Sequence, residues 1–301
     1  MILLLSCFVT NHRLAGVNRY NRFDIFKYML YSYRNIPFSN IYLFIKLDDE
    51  FKNYEEDLIH FIYKIFSKLS AENINIVFDR YTQQQQWIPV ISNLMEKYGP
   101  NEPVWFSQND DHVFVDFNMD ILNEGIELLK NDPAIHKSIG YSHWPEALKV
   151  VGRHKPPELI GNYAKSTSIS CVDSILIFNL QTLYTIFVVH KWRTDHNRID
   201  SLAYEFTNQP YDDNFLNQTL LIPLRELVRH FDGYDHVNMD RDACGPLELP
   251  SNTFIYTPET LQKKMTARHR SGWTSNNDFE IPQEWIDINL SLHAGVSHHT
   301  V

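Results

Sequence analysis

Between Ile2 and Asp116, short apolar runs alternate with segments of helical period, and nothing else in the chain restricts its fold as strongly. The runs cover residues 2–9, 40–47, 73–78 and 104–106. The first is continuously apolar, the pattern of a strand buried on both faces. Between the runs, residues 24–33, 54–69 and 85–98 carry apolar side chains at helical spacing. The first of these segments ends near Pro37 and the third at Gly99 and Pro100, both ordinary helix stops. Strand and helix alternating in this way predict an α/β fold: a mostly parallel sheet with helices on both faces.

Past Asp116 the signals weaken. A helix is expected over residues 118–131 and a strand from Ser138 to Tyr141. Residues 141–157 read as loop, 168–179 as strand pairs, and 180–191 as a helix. Residues 220–231 suit a helix started or interrupted by Pro223. The remainder is rich in loop residues, and there are no repeats.

Composition bounds the partners. With 44% hydrophobic and 21% charged residues, the chain is globular rather than disordered. A net charge of −10 argues against a general nucleic-acid surface. Cys7, Cys171 and Cys244 form no metal-spaced pair and no disulfide framework, which fits a reducing compartment. The apolar start lacks a basic region and a cleavage pattern, so it is expected to be a buried strand and not a signal peptide. No run approaches a membrane span. A cytoplasmic protein is expected, with peripheral association at the cytosolic face of a membrane left open. No glycine-rich loop is present, which counts against dinucleotide dehydrogenases and P-loop enzymes.

The chemistry concentrates at residues 103–116, PVWFSQNDDHVFVD. Asp110 and Asp111 stand between two apolar runs, where a surface charge run would not normally be bracketed. Adjacent carboxylates repel each other and need compensation. A hard divalent cation supplies it. Asn-Asp-Asp is also good turn chemistry, so a plain turn between strands fits the same residues.

Four features together resemble nucleotide-sugar-dependent glycosyltransferases of the type A fold, of the kind that build surface polysaccharides. They are the opening strand and polar loop MILLLSCFVTNHR, the strand–helix alternation, WFSQNDDHVFVD, and a later acidic segment YDDNF followed by HFDGYDH. The resemblance implies one Rossmann-type mixed sheet flanked by helices, with an irregular acceptor-side half. A nucleotide-sugar-binding half, residues 1–116, would pass without a boundary into an acceptor-binding half, residues 117–301. It further implies a nucleoside diphosphate sugar donor, a carbohydrate or glycolipid acceptor, no nucleic acid, and Mn²⁺ or Mg²⁺ as cofactor.

Residue roles follow from the same resemblance. Asp111 would hold the cation that bridges the diphosphate, and Asp110 would touch the sugar or ribose. Asn109, His112 and His236 are further ligand candidates. The usual motif separates its two carboxylates by one residue, whereas here they are adjacent. Thr10, Asn11, Arg13 and Arg19 would face the nucleotide from the loop after the first strand. Asp48 and Asp79 close the second and third strands, where a parallel sheet presents ligand contacts. His143 and Trp144 would line the sugar site. An inverting transfer needs a base for the acceptor hydroxyl; Asp212 and Asp213 are the first candidates and Asp173 a competitor. Two other readings use the same residues: a non-catalytic binding or assembly protein, and a metal-dependent phosphoester hydrolase.

Overall fold

The computed structural model describes residues 1–10, 22–78, 84–107, 112–114, 119–131, 136–140, 158–166, 175–189, 219–223 and 227–230. Among the described residues, the centre is a nine-stranded mixed sheet. In chain order the strands are β1 (Ile2–Val9), β2 (Asn40–Leu47), β3 (Ile74–Phe78), β4 (Pro103–Ser107), β5 (His112–Phe114), β6 (His136–Gly140), β7 (Glu158–Ile160), β8 (Tyr163–Ser166), β9 (Leu176–Asn179), β10 (Thr219–Pro223) and β11 (Val228–His230). The spatial order of the main sheet is β3-β2-β1-β4-β9-β6-β10-β8-β7, while β5 and β11 form a separate ribbon. The helices are α1 (Arg22–Ser32), α2 (Glu55–Ile65), α3 (Gln84–Tyr98), α4 (Met119–Asn131) and α5 (Leu180–Tyr184).

β3, β2, β1 and β4 run parallel. β9 lies antiparallel between β4 and β6, and β10 is again parallel to β6. The strands β1 to β3 step outward in one direction, and β4 returns to the free side of β1. Right-handed crossovers then keep α1 and α2 on one face and put α3, which leads into β4, on the other. The packing agrees. α1 touches α2, whereas α3 packs on α5 and on the π-helical turn Thr185–Val189 that extends it.

Both faces of β1 are consequently filled. Leu3, Leu5, Cys7 and Val9 join one cluster with Phe26, Met29 and Leu30 of α1 and Leu58 and Ile62 of α2. Ile2 and Leu4, equally buried, point to the opposite face. On β4 the same alternation sends Trp105 into the first cluster and Phe106 to the other face, against Phe178 and Phe187. α4 covers the first face further along, through Ile121, Leu122, Ile126 and Leu129.

One expected element is corrected. The described residues between 220 and 231 are not helical: they contribute β10 and β11, and residues 224–226 and 231 lie outside the described part. β10 fills a gap between β6 and β8, and its Leu221 is fully buried. A helix through Pro223 would lose a backbone bond and clash with the preceding turn. β7 and β8 were not anticipated, and neither was the 3₁₀ helix Asp49–Tyr54. Among the described residues, no helix is long and apolar enough to cross a membrane.

Candidate functional site

The reversal of strand order falls between β1 and β4. The ladder joining them ends at Leu5↔Ser107, whereas β1 pairs with β2 as far as Val9↔Leu47. β1 therefore outruns its ladder with β4 by four residues, about 13 Å of strand. This step lies on the carboxyl edge of the sheet.

Thr10 and Asp48 stand at that edge and hold each other. The Thr10 hydroxyl donates to Asp48 Oδ2 at 2.6 Å. Asp48 Oδ1 accepts from the Asp49 amide at 2.8 Å, so Asp48 also caps the 3₁₀ helix that follows. The Asp48 amide continues the ladder to the Val9 carbonyl at 3.0 Å. Thr10 is 4% exposed. Both residues thus have structural partners at the position where ligand contacts were expected. Beside them, Lys46 Nζ sits 4.8 Å from the centre of the Phe8 ring, on the rung where Phe8 and Lys46 pair.

The segment after β4 is bracketed by two buried anchors. Ser107, the last residue of β4, is fully buried, and His112, the first of β5, is 2% exposed. The Tyr33 hydroxyl, one residue past α1, donates to the His112 carbonyl at 2.7 Å. The Phe114 amide donates to Ser32 Oγ at 2.9 Å, and that hydroxyl donates in turn to the Met29 carbonyl at 2.6 Å. Trp105 of β4 ties these parts together. Its indole lies 5.2 Å from the Tyr33 ring and 5.9 Å from both Phe114 and Phe38. Such tilted and edge-to-face pairs each add about 0.5–1.5 kcal/mol beyond area burial. Nothing in the sequence marks Ser32 and Tyr33 for this role, because at the end of a helix they look like ordinary core-facing residues.

β11 brings in a distant segment. It pairs antiparallel with β5, Val228↔Phe114, Arg229↔Val113 and His230↔His112. The beginning of β5 therefore meets the end of β11. The chain enters β5 from Asp110 and Asp111, and it leaves β11 towards Asp232, Asp235 and His236.

Of the expected site residues, Thr10, Asp48 and His112 are described. Asn11, Arg13, Arg19, Asp79, Asn109, Asp110, Asp111, His143, Trp144, Asp173, Asp212, Asp213 and His236 lie outside the described residues. Among the described residues, no group of three or more His, Cys, Asp or Glu could hold a metal ion. A perturbed phenol exists elsewhere: Tyr42 is raised above its ordinary value, by burial first and then by the neighbouring Tyr98. It is the third residue of β2, near the amino edge, so it belongs to the packing of α3 on the sheet and not to this edge.

No known family profile and no curated protein matches the chain. Several solved structures resemble it loosely. A 4-diphosphocytidyl-2C-methyl-D-erythritol synthase from Anaerococcus prevotii superposes with a TM-score of 0.38 at 14% identity, over 80% of this chain and 92% of the other. A cytidylyltransferase from Leptospira borgpetersenii gives 0.40 at 13% identity, over 100% and 97%. The inositol-1-phosphate CTP transferase of T. maritima gives 0.38 at 11% identity, over 88% and 96%. Both the sequence identity and the superposition are low in every case.

Proposed function

We propose that the chain is a glycosyltransferase moving a sugar from a nucleoside diphosphate sugar to a carbohydrate or glycolipid hydroxyl, assisted by Mn²⁺ or Mg²⁺. One observation carries the reading: the strand order reverses between β1 and β4. In open α/β sheets, ligands bind outside the carboxyl ends of the strands at such a reversal. The chain runs on from those two ends into Asn11, Arg13 and Arg19 on one side and Asn109, Asp110 and Asp111 on the other. Fold alone does not choose a chemistry; the acidic sequence following β4 is what favours a cation and a diphosphate.

In this reading Asp111 is the main ligand of the cation and Asp110 touches the sugar or ribose. Asn109 and His112 complete the near side, and His236 adds a donor from the segment after β11. Carboxylate and amide oxygen donors suit Mn²⁺ or Mg²⁺. When bound, such a cation offsets the negative charge gathering on the departing diphosphate. Arg13 and Arg19 grip phosphate oxygens through the guanidinium fork. Asp79 contacts base or ribose, and His143 and Trp144 line the sugar. Asp212 or Asp213, or else Asp173, takes the proton of the acceptor hydroxyl.

The test is thermal unfolding of the full chain with a panel of nucleoside diphosphate sugars, with and without Mn²⁺. A ligand that binds only the folded state at a hundred times its Kd adds about 2.7 kcal/mol of stability. Metal-dependent protection by one nucleotide sugar is expected. Replacing Asp110 and Asp111 by Ala should remove it and lower sugar transfer by about a hundredfold or more. Protection by a nucleoside triphosphate, with pyrophosphate released, would point to nucleotidyl transfer instead. Phosphate release from diverse esters would point to a hydrolase, and no response to any compound to a non-catalytic protein.

A further inference from the structure

We propose that β3 is a self-pairing edge: two copies of the chain join β3 to β3, antiparallel, about a two-fold axis through Ile76, and so share one continuous sheet. Among the described residues the main sheet has two outer edges, β3 and β7. They differ in kind. β7 is three residues long and begins with Glu158. A short strand carrying a charge is an ordinary way of blunting an edge. β3 is five residues long, INIVF, with neither charge nor proline. Its one described neighbour is β2, in parallel register from Ile41↔Ile74 to Ile45↔Phe78. The outward N–H and C=O groups of such a strand are a template for another strand.

The side chains favour a second copy as the occupant. Asn75 is exposed, and Ile76, Val77 and Phe78 are half-buried. Ile76 and Phe78 pack from the flank against the cluster that contains Ile74, as do Ile65 and Leu69. Residues directly opposite in an antiparallel pair share a face. A two-fold pairing of identical strands must therefore centre on a residue, and only Ile76 as centre pairs all five. That register sets Ile74 opposite Phe78 and Ile76 opposite itself on the face of the cluster, and Asn75 opposite Val77 on the other. Although the chain carries a net charge of −10, no like charges meet along the paired strands. Such self-complementarity is what a closed two-fold contact requires. Five residues a side fall short of the roughly 20–30 of a standard interface, so the dimer forms and dissociates with concentration.

Sedimentation equilibrium of the full chain over a range of concentrations tests this. The mass is expected to rise with concentration from one chain to two and to stop there. Ile76→Lys sets like charges face to face on the axis and is expected to weaken self-association by about tenfold or more. Because Ile76 also packs against the core, Val77→Lys at the half-buried neighbouring position is the second variant, a lysine being a common edge blocker. Leu159→Lys, on the opposite edge strand β7, is expected to leave association unchanged. Hydrogen exchange in the parent needs no variant: amides within Ile74–Phe78 should exchange more slowly in the concentrated sample than in the dilute one. A parent of one-chain mass at every concentration would overturn the proposal, as would growth beyond two chains. So would a dimer that survives in both folded lysine variants, one lost with Leu159→Lys, or one in which β3 gains no protection.

Discussion

Both carboxylate oxygens of Asp48 are engaged, one by the Thr10 hydroxyl and one by the amide of Asp49. Replacing Asp48 by Ala removes a helix cap and the bond that the nearly buried Thr10 hydroxyl donates to it. The expected loss is about 1–2 kcal/mol of unfolding free energy in a urea titration. Asp48→Asn keeps cap chemistry and is expected to lose less. Measuring nucleotide-sugar affinity on Asp48→Asn then separates the two roles of the residue. A drop in affinity in a stably folded variant speaks for ligand contact, and no drop for scaffolding alone. Thr10 and Asp48 were legible in the sequence because each follows the last apolar residue of a strand, where a parallel sheet opens to ligands. Their bond to each other was not legible, since it joins residues on two strands whose register only the folded sheet defines.

At the scale of elements, β1 and β2 match their expected bounds residue for residue, because strands covered on both faces leave a continuous apolar signature. Legibility fell away where an element borrows its identity from its neighbours. β10 is a strand because β6 and β8 leave room for one between them. β11 is a strand because β5 is there to pair with it. Strands at β6 and β5 were expected from the sequence, but that residues 219–223 and 228–230 would pair with them was not. The carboxyl ends of the strands could be read as the ligand-facing edge, but neither the reversal of strand order between β1 and β4 nor the bonds that tie β5 to the end of α1 could. α4 illustrates how tightly the second half is fitted. A Cβ at Gly125 would meet the hydroxyl and Cζ of Tyr163 and, at 2.8 Å, Cδ1 of Ile139. The Tyr163 hydroxyl donates to the Ile121 carbonyl at 2.6 Å, so the ring is not free to swing aside. Gly125→Ala is therefore expected to destabilise by about 1–3 kcal/mol, despite the better helix propensity of Ala. Thermal or urea unfolding measures it; a stabilised variant would show that α4 can lift from the sheet at little cost.

Across the whole molecule, the sheet is continuous from β3 to β7, and β9 is inserted between β4 and β6. Residues 1–116 alone would end with the outer edge of β4 unpaired and with Phe106 stripped of its contacts to Phe178 and Phe187. Expressed by itself, that segment is expected to be insoluble or to lack a cooperative unfolding transition. A soluble fragment with sharp cooperative unfolding would show that the first half is autonomous. Open strand edges of this kind are ready templates for association.

The insertion of β9 also sets a clock on biosynthesis. Phe106 pairs with Leu176, a residue made seventy positions later. At about 5–20 residues per second, the ribosome needs roughly 4–14 s to deliver it. For that interval the nascent chain carries a half-finished sheet, with β1 to β4 made and β9 still unmade.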